Sequence, residues 1–249
     1  MDTNNTSLEP KTPQWGLAGT FCWGIVVAII AVIIQTLAVI GYASFIYGDF
    51  SEDLLTKLEY NGMALSIATF ATFIFCNLLI FAIIKLKRNS NIRHYLALNT
   101  ISLSEVKKWV LVICALIVLI DSLTYLLGKP IVVEFMIKTY SSAEIVWLFW
   151  VALVVAAPIF EELFFRGFLF TGLSSSFLGP IGAILVTSAT WAAVHLQYDL
   201  YGIISIFVVG VILGIARFTT GSILTTIMMH SMMNLVATVQ TAIYMANQA

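Results

Sequence analysis

The sequence predicts an all-α polytopic membrane protein, a transmembrane helical bundle of about seven to eight helices with its polar site among the C-terminal ones. Composition is the first observation behind this. Of 249 residues, 60% are hydrophobic and only 10% are charged, against about 25% charged in an average soluble domain. The second is where the charges fall. No Asp, Glu, Lys or Arg occurs from Leu17 to Gly48, Tyr60 to Ile84, Gly167 to Tyr198, Leu200 to Ala216, or Phe218 to Ala249. Such runs match the roughly 20 apolar residues that carry a helix across the hydrocarbon core. The same numbers exclude a disordered chain and a protein solubilised by a charged surface. A net charge of -1 gives no electrostatic case for a nucleic-acid partner.

The polar tail 1–16 precedes a first helix expected near Phe21–Tyr47. Its apolar run is too long for a signal peptide and lacks a charged lead and a cleavage motif. The acidic loop Asp49–Glu59 follows, then a second helix near Gly62–Ile84. The next loop is the most basic in the chain, with Lys85, Lys87, Arg88, Arg93, Lys107 and Lys108 against Glu105. A third helix fits Trp109–Leu127 and ends at Gly128–Pro130, because proline cannot join the helical hydrogen-bond ladder. A fourth apolar run starts at Ile145 and continues through Pro158, with an extra half-helix expected around Phe164–Phe177. Further spans fit Ile181–His195, Gly202–Ala216 and Ser222–Tyr244. Residues 17–144 thus read as N-terminal transmembrane helices and 145–245 as the region holding the chemistry, within one membrane domain. The positive-inside rule places the basic loop and the N-terminus in the cytoplasm, with Asp49–Glu59 and Gly128–Glu144 on the other side.

Ionisable groups are costly inside a bilayer, so the few present are candidates for function. Glu161, Glu162 and Arg166 form the densest set. Glu162 and Arg166 stand four apart on one helix face and suit an ion pair. Glu161 points about 100° away and is left free to take a proton. His195 follows Trp191 by one helical turn, and His230 and Asn234 share a face of the last apolar helix. A carboxylate and a histidine beside one water can draw off its proton. A second histidine and an amide can donate to the oxyanion that forms when water attacks a carbonyl. Amide hydrolysis within the bilayer fits this inventory. Glu161, His195 and His230 are also the residue types that ligate Zn²⁺, so zinc is a cofactor candidate on residue type alone, because the HExxH spacing is absent. Serine chemistry is disfavoured, since no serine occupies a GxSxG elbow. Cys22, Cys76 and Cys114 match no ligand or disulfide pattern. One geometric difficulty is foreseen: straight helices starting near Ile181 and Ser222 set His195 and His230 about 9 Å apart in depth.

Glu161-Glu162-xxx-Arg166, an aromatic-xxx-His motif ending at His195, and His230-xxx-Asn234, in this order within apolar helices, resemble the CPBP family of intramembrane proteases. That family includes the Rce1-type CAAX prenyl endopeptidases and proteins linked to bacteriocin self-immunity. The resemblance covers Ile145 to Val239, with Trp191 where the family usually has Phe. It implies that Glu161 and His195 activate water, that His230 and Asn234 support the oxyanion, and that Glu162 and Arg166 shape the site. The family is labelled metalloprotease, and a metal-free glutamate mechanism is also argued for it. The resemblance further implies a membrane-associated protein or peptide substrate, lipid-modified ones included. Together with the short loops it suggests a bacterial plasma membrane. The competing readings are a catalytically silent immunity or scaffold protein and a small-solute transporter.

Overall fold

The structure is a computed structural model that describes residues 13–48 and 58–248. Most of the polar tail 1–16 and of the expected acidic loop Asp49–Glu59 lies outside the described residues. These fold into nine helices and no strand, counting the continuous stretch Val146–Ser174 once. In chain order they are α1 (Leu17–Tyr47), α2 (Gly62–Leu86), α3 (Ile92–Tyr95), α4 (Leu103–Leu126), α5 (Glu134–Ser141), α6 (Val146–Ser174), α7 (Gly179–Ala193), α8 (Leu200–Thr220) and α9 (Ile223–Ala246). Helices α1, α2, α4, α6 and α8 are long and apolar enough to cross a membrane. The fold is a helical membrane bundle.

Most boundaries have local causes. Asn61, Ser102 and Asp199 each accept a hydrogen bond from an amide in the opening turn of α2, α4 and α8, filling a donor that a helix start leaves unpaired. Glu105 sits three residues after Ser102, the spacing of a capping box. Gly128 adopts φ +67° directly after α4, a left-handed conformation that glycine enters without a Cβ clash. Outside the bundle's apolar helices, Asp199 pairs with Lys129 at 2.6 Å and ties the start of α8 to the loop after α4. Its carboxyl is held below the ordinary range by that lysine.

Two short helices were not anticipated. Helix α3 is one turn opened by Asn91, too short for any periodicity to register. Helix α5 is amphipathic, with Glu134 and Lys138 paired at 2.7 Å one turn apart. The largest correction concerns α6. The expected separate half-helix around Phe164–Phe177 does not exist; the chain runs unbroken from Val146 to Ser174, with π-helical segments at Ala152–Ala156 and Leu163–Leu169. Absorbing a wide turn without breaking is what a π segment permits.

Helix α6 is the axis of the bundle. Every residue from Glu162 to Leu173 is buried, including Phe164, Phe165, Phe168 and Phe170. By contrast, α1 exposes Ile25, Val32 and Leu37 along its length. Both helices are apolar enough to span a membrane, but only α6 carries charged residues, Glu161, Glu162 and Arg166. Close approach marks the axis: a Cβ on Gly172 would lie 1.9 Å from Thr20 Oγ1 of α1, so only glycine permits that crossing.

Candidate active site

Glu161 and Glu162 end the short α-helical part of α6, Ala157–Glu162, between the two π segments. In the first π segment the Ala157 N–H bonds to Ala152 O, a five-residue step. The next such bond would run from residue 158 to Leu153 O. Residue 158 is proline and has no N–H to give. The orphaned Leu153 carbonyl instead accepts Asn234 Nδ2 at 2.8 Å, which fulfils the demand that a buried backbone acceptor be paired. The second π segment is tied in a similar way. Arg217, the lone charged residue of α8, donates Nε to Arg166 O at 3.0 Å.

The side chains form one connected chain of contacts. Glu162 Oε1 accepts from Arg166 Nη1 at 2.9 Å, and both side chains are fully buried. Hence the ion pair expected from the spacing exists, and it is a buried pair rather than two side chains at the membrane surface. The same Glu162 Oε1 lies 3.0 Å from His230 Nδ1. An ionised carboxylate only accepts, so Nδ1 carries the proton and His230 Nε2 is directed elsewhere. It faces Glu161 Oε2 at 3.9 Å. That gap is too long for a direct hydrogen bond, and one bridging water with legs of about 2.8 Å closes it. Glu161 Oε2 in turn accepts from Trp191 Nε1 at 2.5 Å. Adjacent glutamates do diverge, as helix geometry requires; the imidazole of His230 spans the divergence with its two nitrogens.

Trp191 is the hub. Its side chain is almost wholly buried, with the Arg166 guanidinium 4.5 Å over its face, a favourable cation–π geometry. The rings of His195 and His230 each meet it edge-on, at 5.3 Å and 5.0 Å between centroids. Whatever depth separates them, both histidines contact the one indole. His195 lies past the end of α7 and directs Nδ1 to the Trp191 carbonyl at 2.7 Å. Nδ1 therefore donates and Nε2 is left free. Among the described residues no carboxylate oxygen lies within ion-pair distance of His195.

Exposure separates the parts. Glu162, Arg166 and His230 are buried to within 2%, whereas the Glu161 side chain is 23% exposed. The reachable acid is Glu161, and the rest forms its backing. Among the described residues no three His, Cys, Asp or Glu side chains gather as a metal-ligand group. Glu161, His195 and His230, the zinc candidates, are held in other ways: Glu161 by the indole, His230 by Glu162, and His195 by a main-chain carbonyl. As placed, the three do not gather into a ligand cluster, although both histidines engage Nδ1 and leave Nε2 open, the arrangement a zinc-ligating histidine also adopts.

Two residues escaped the sequence reading. Arg217 is one; its signal was isolation as a single charge within an apolar helix. Gly210 carries the other role. Its carbonyl accepts Arg166 Nη2 at 3.3 Å, and a Cβ there would stand 3.2 Å from that same nitrogen and 3.0 Å from Ser188 Cβ.

Residues 143–236 match the family model described as Type II CAAX prenyl endopeptidase Rce1-like. This is nearly the stretch on which the CPBP resemblance rested, and it contains every site residue above. An uncharacterized 24.3 kDa protein of Escherichia coli is 32% identical over 114 residues, 43% of this chain and 52% of that protein. The chain therefore spans about half the length of the curated relative it matches. No solved structure matches.

Proposed function

With residues 143–236 matching the Rce1-like CAAX prenyl endopeptidases, we propose that this protein is an intramembrane endopeptidase cleaving membrane-associated protein or peptide substrates with an activated water. The carrying observation is the space between Glu161 Oε2 and His230 Nε2, 3.9 Å apart, bordered by a buried and charge-balanced backing. Water held there gives a proton to Glu161 as its oxygen bonds to the substrate carbonyl carbon. The carbonyl becomes an oxyanion, supported by the second N–H of the Asn234 amide and by His230 through a proton on Nε2. Glu162 accepts from His230 Nδ1 and fixes the ring so that Nε2 faces this space. Collapse breaks the C–N bond, and the proton on Glu161 passes to the departing nitrogen. His195, with Nε2 free, assists the proton transfers. Trp191 and Arg166 hold the carboxylate and the imidazoles in register. None of these steps needs a metal.

The family's printed description extends the substrate class to lipid-modified peptides. The likeness to an Escherichia coli protein supports a bacterial plasma membrane, and the basic stretch Lys85–Lys108 supports an N-terminus in the cytoplasm. In a cysteine-free background, Asn91→Cys resists a membrane-impermeant thiol reagent in intact cells while Ser141→Cys reacts; the reverse pattern would invert the orientation.

The function is tested with the full chain in liposomes carrying a bilayer-anchored reporter peptide. Cleavage is expected from purified, monodisperse protein, with metal content recorded alongside. Solute uptake without cleavage would make the protein a transporter, and binding without cleavage a scaffold. Stoichiometric zinc lost and regained together with activity would replace the proton roles of His195 and His230 with ligand roles.

A further inference from the structure

One intramembrane acid takes no part in the site. Asp121 belongs to α4, five residues from the end of that helix. Its Oδ2 accepts from Gln240 Nε2 of α9 at 2.7 Å. The ion pairs formed among the described residues leave Asp121 without a cation. Ionisable residues in transmembrane segments are usually paired or face a cavity. Asp121 does the latter. It lines a shallow, open cleft of about 90 Å³ between α4, α8 and α9. Apart from Asp121 and Gln240 the lining is aliphatic or Met, with Ile113, Val209 and Met233 at the far end.

The long axis of the cleft follows the helices. From Asp121 to Ile113 the α4 backbone rises about 12 Å, and Gln240 to Met233 covers about 10 Å of α9. Both α4 and α9 start at the basic stretch: Leu103 lies within it, with Lys107 and Lys108 in the opening turns of α4, and Ser222 Oγ donates to Asn99 O. The acid therefore stands near the end of the bundle away from that stretch, and the apolar part runs inward toward the level of Asn234. A carboxylate at the interface above an apolar trough is complementary to one kind of lipid-like molecule. We propose that this cleft binds a single-chain amphiphile with a cationic head, its ammonium on Asp121 and its hydrocarbon chain along Ile113, Val209 and Met233. Charge complementarity selects the head: an anionic head meets an unshielded carboxylate, and a neutral one gains no charge-assisted hydrogen bond. The second oxygen of Asp121 and the Gln240 amide oxygen are the acceptors left for the ammonium protons. This site is separate from the peptidase site and does not depend on that assignment.

The experiment uses the full chain in nanodiscs of zwitterionic lipid. Three probes carry the same chain diazirine: dodecylamine, dodecanol and dodecanoic acid, at equal membrane concentration. After photolysis, mass spectrometry maps the labelled peptides. The amine is expected to label residues 113–120 and 233–237 about tenfold more than the acid, the scale of one charge-assisted contact, and unlabelled dodecylamine competes it away. Asp121→Asn keeps a hydrogen-bonding group for Gln240 and removes the charge, so amine labelling falls to the level of the alcohol. Ala237→Trp fills the trough and removes labelling by all three. Equal labelling of the parent by amine and acid overturns the proposal without recourse to any variant. So does label spread over the lipid-facing side of α1, which is partition into the bilayer only. Amine labelling unchanged in folded Asp121→Asn overturns the role of the acid.

Discussion

Glu161→Gln protein inserts, purifies as a monodisperse species and has lost nearly all turnover: this is the result expected if Glu161 is the general base. The substitution keeps size and polarity, and its amide still meets the Trp191 N–H through oxygen. What disappears is the basic oxygen that receives the proton of water. General-base removal typically costs about 10²–10⁴-fold in rate, so kcat should fall on that scale with little change in substrate affinity, the pattern of a group acting in the transition state. Little effect on stability is expected, because Glu161 makes no buried ion pair and is the most accessible acid of the cluster. Reporter cleavage by parent and variant decides the matter. Turnover within a few-fold of the parent would remove Glu161 from the mechanism, whatever the substrate.

Glu162→Gln has the opposite profile, with loss of stability as well as activity. Glu162 compensates a fully buried guanidinium and also orients His230. Breaking one side of a buried pair strands the other charge, at a cost of about 3–5 kcal/mol. Among the described residues no other carboxylate is hydrogen-bonded to Arg166; its remaining hydrogen bond goes to Gly210 O. The expected outcome is a lower yield of folded protein and a lower thermal midpoint in detergent. Glu162→Gln with Arg166→Met removes the stranded charge and keeps an oxygen for His230 Nδ1–H. Folded yield should then recover, since a buried pair replaced by groups of similar volume is often neutral for stability. Activity should not recover, because the charged pair that backs Trp191 and His230 is gone. Equal thermal midpoints for the parent and the single variant would show that the pair contributes nothing to the fold.

These two variants mark a boundary between local and distant information. The Glu162–Arg166 pair was legible because its partners are four residues apart on one helix, and helical periodicity alone makes them neighbours. His230 on Glu162 and Trp191 on Glu161 join residues 68 and 30 positions apart, and no local pattern encodes either contact. Asn234 is an intermediate case. The sequence marked it as a polar residue facing a site, yet its partner, Leu153 O, is a main-chain atom freed by Pro158. Proline at 158 was visible; that the helix would widen there instead of ending was not. His195 was read as a helix-end residue beside Glu161, and its Nδ1 instead meets the carbonyl of its own preceding turn.

What the sequence determined by itself was everything that follows from composition along short stretches. Those are the membrane environment, the apolar helices, the placement of polar residues in the C-terminal half and a motif order from Ile145 to Val239 that resembles a protease family, close to the 143–236 that the family model matches. Tertiary structure alone decided that α6 runs unbroken through two π segments and packs against α1 at Gly172. It also decided that His230, not His195, stands closest to Glu161, and that Arg217 braces α6. The physical reason is common to all of these. Transfer from water to lipid is a sum over residues and can be read in order along a chain, whereas a hydrogen bond inside the bundle depends on two segments arriving at one depth and one angle.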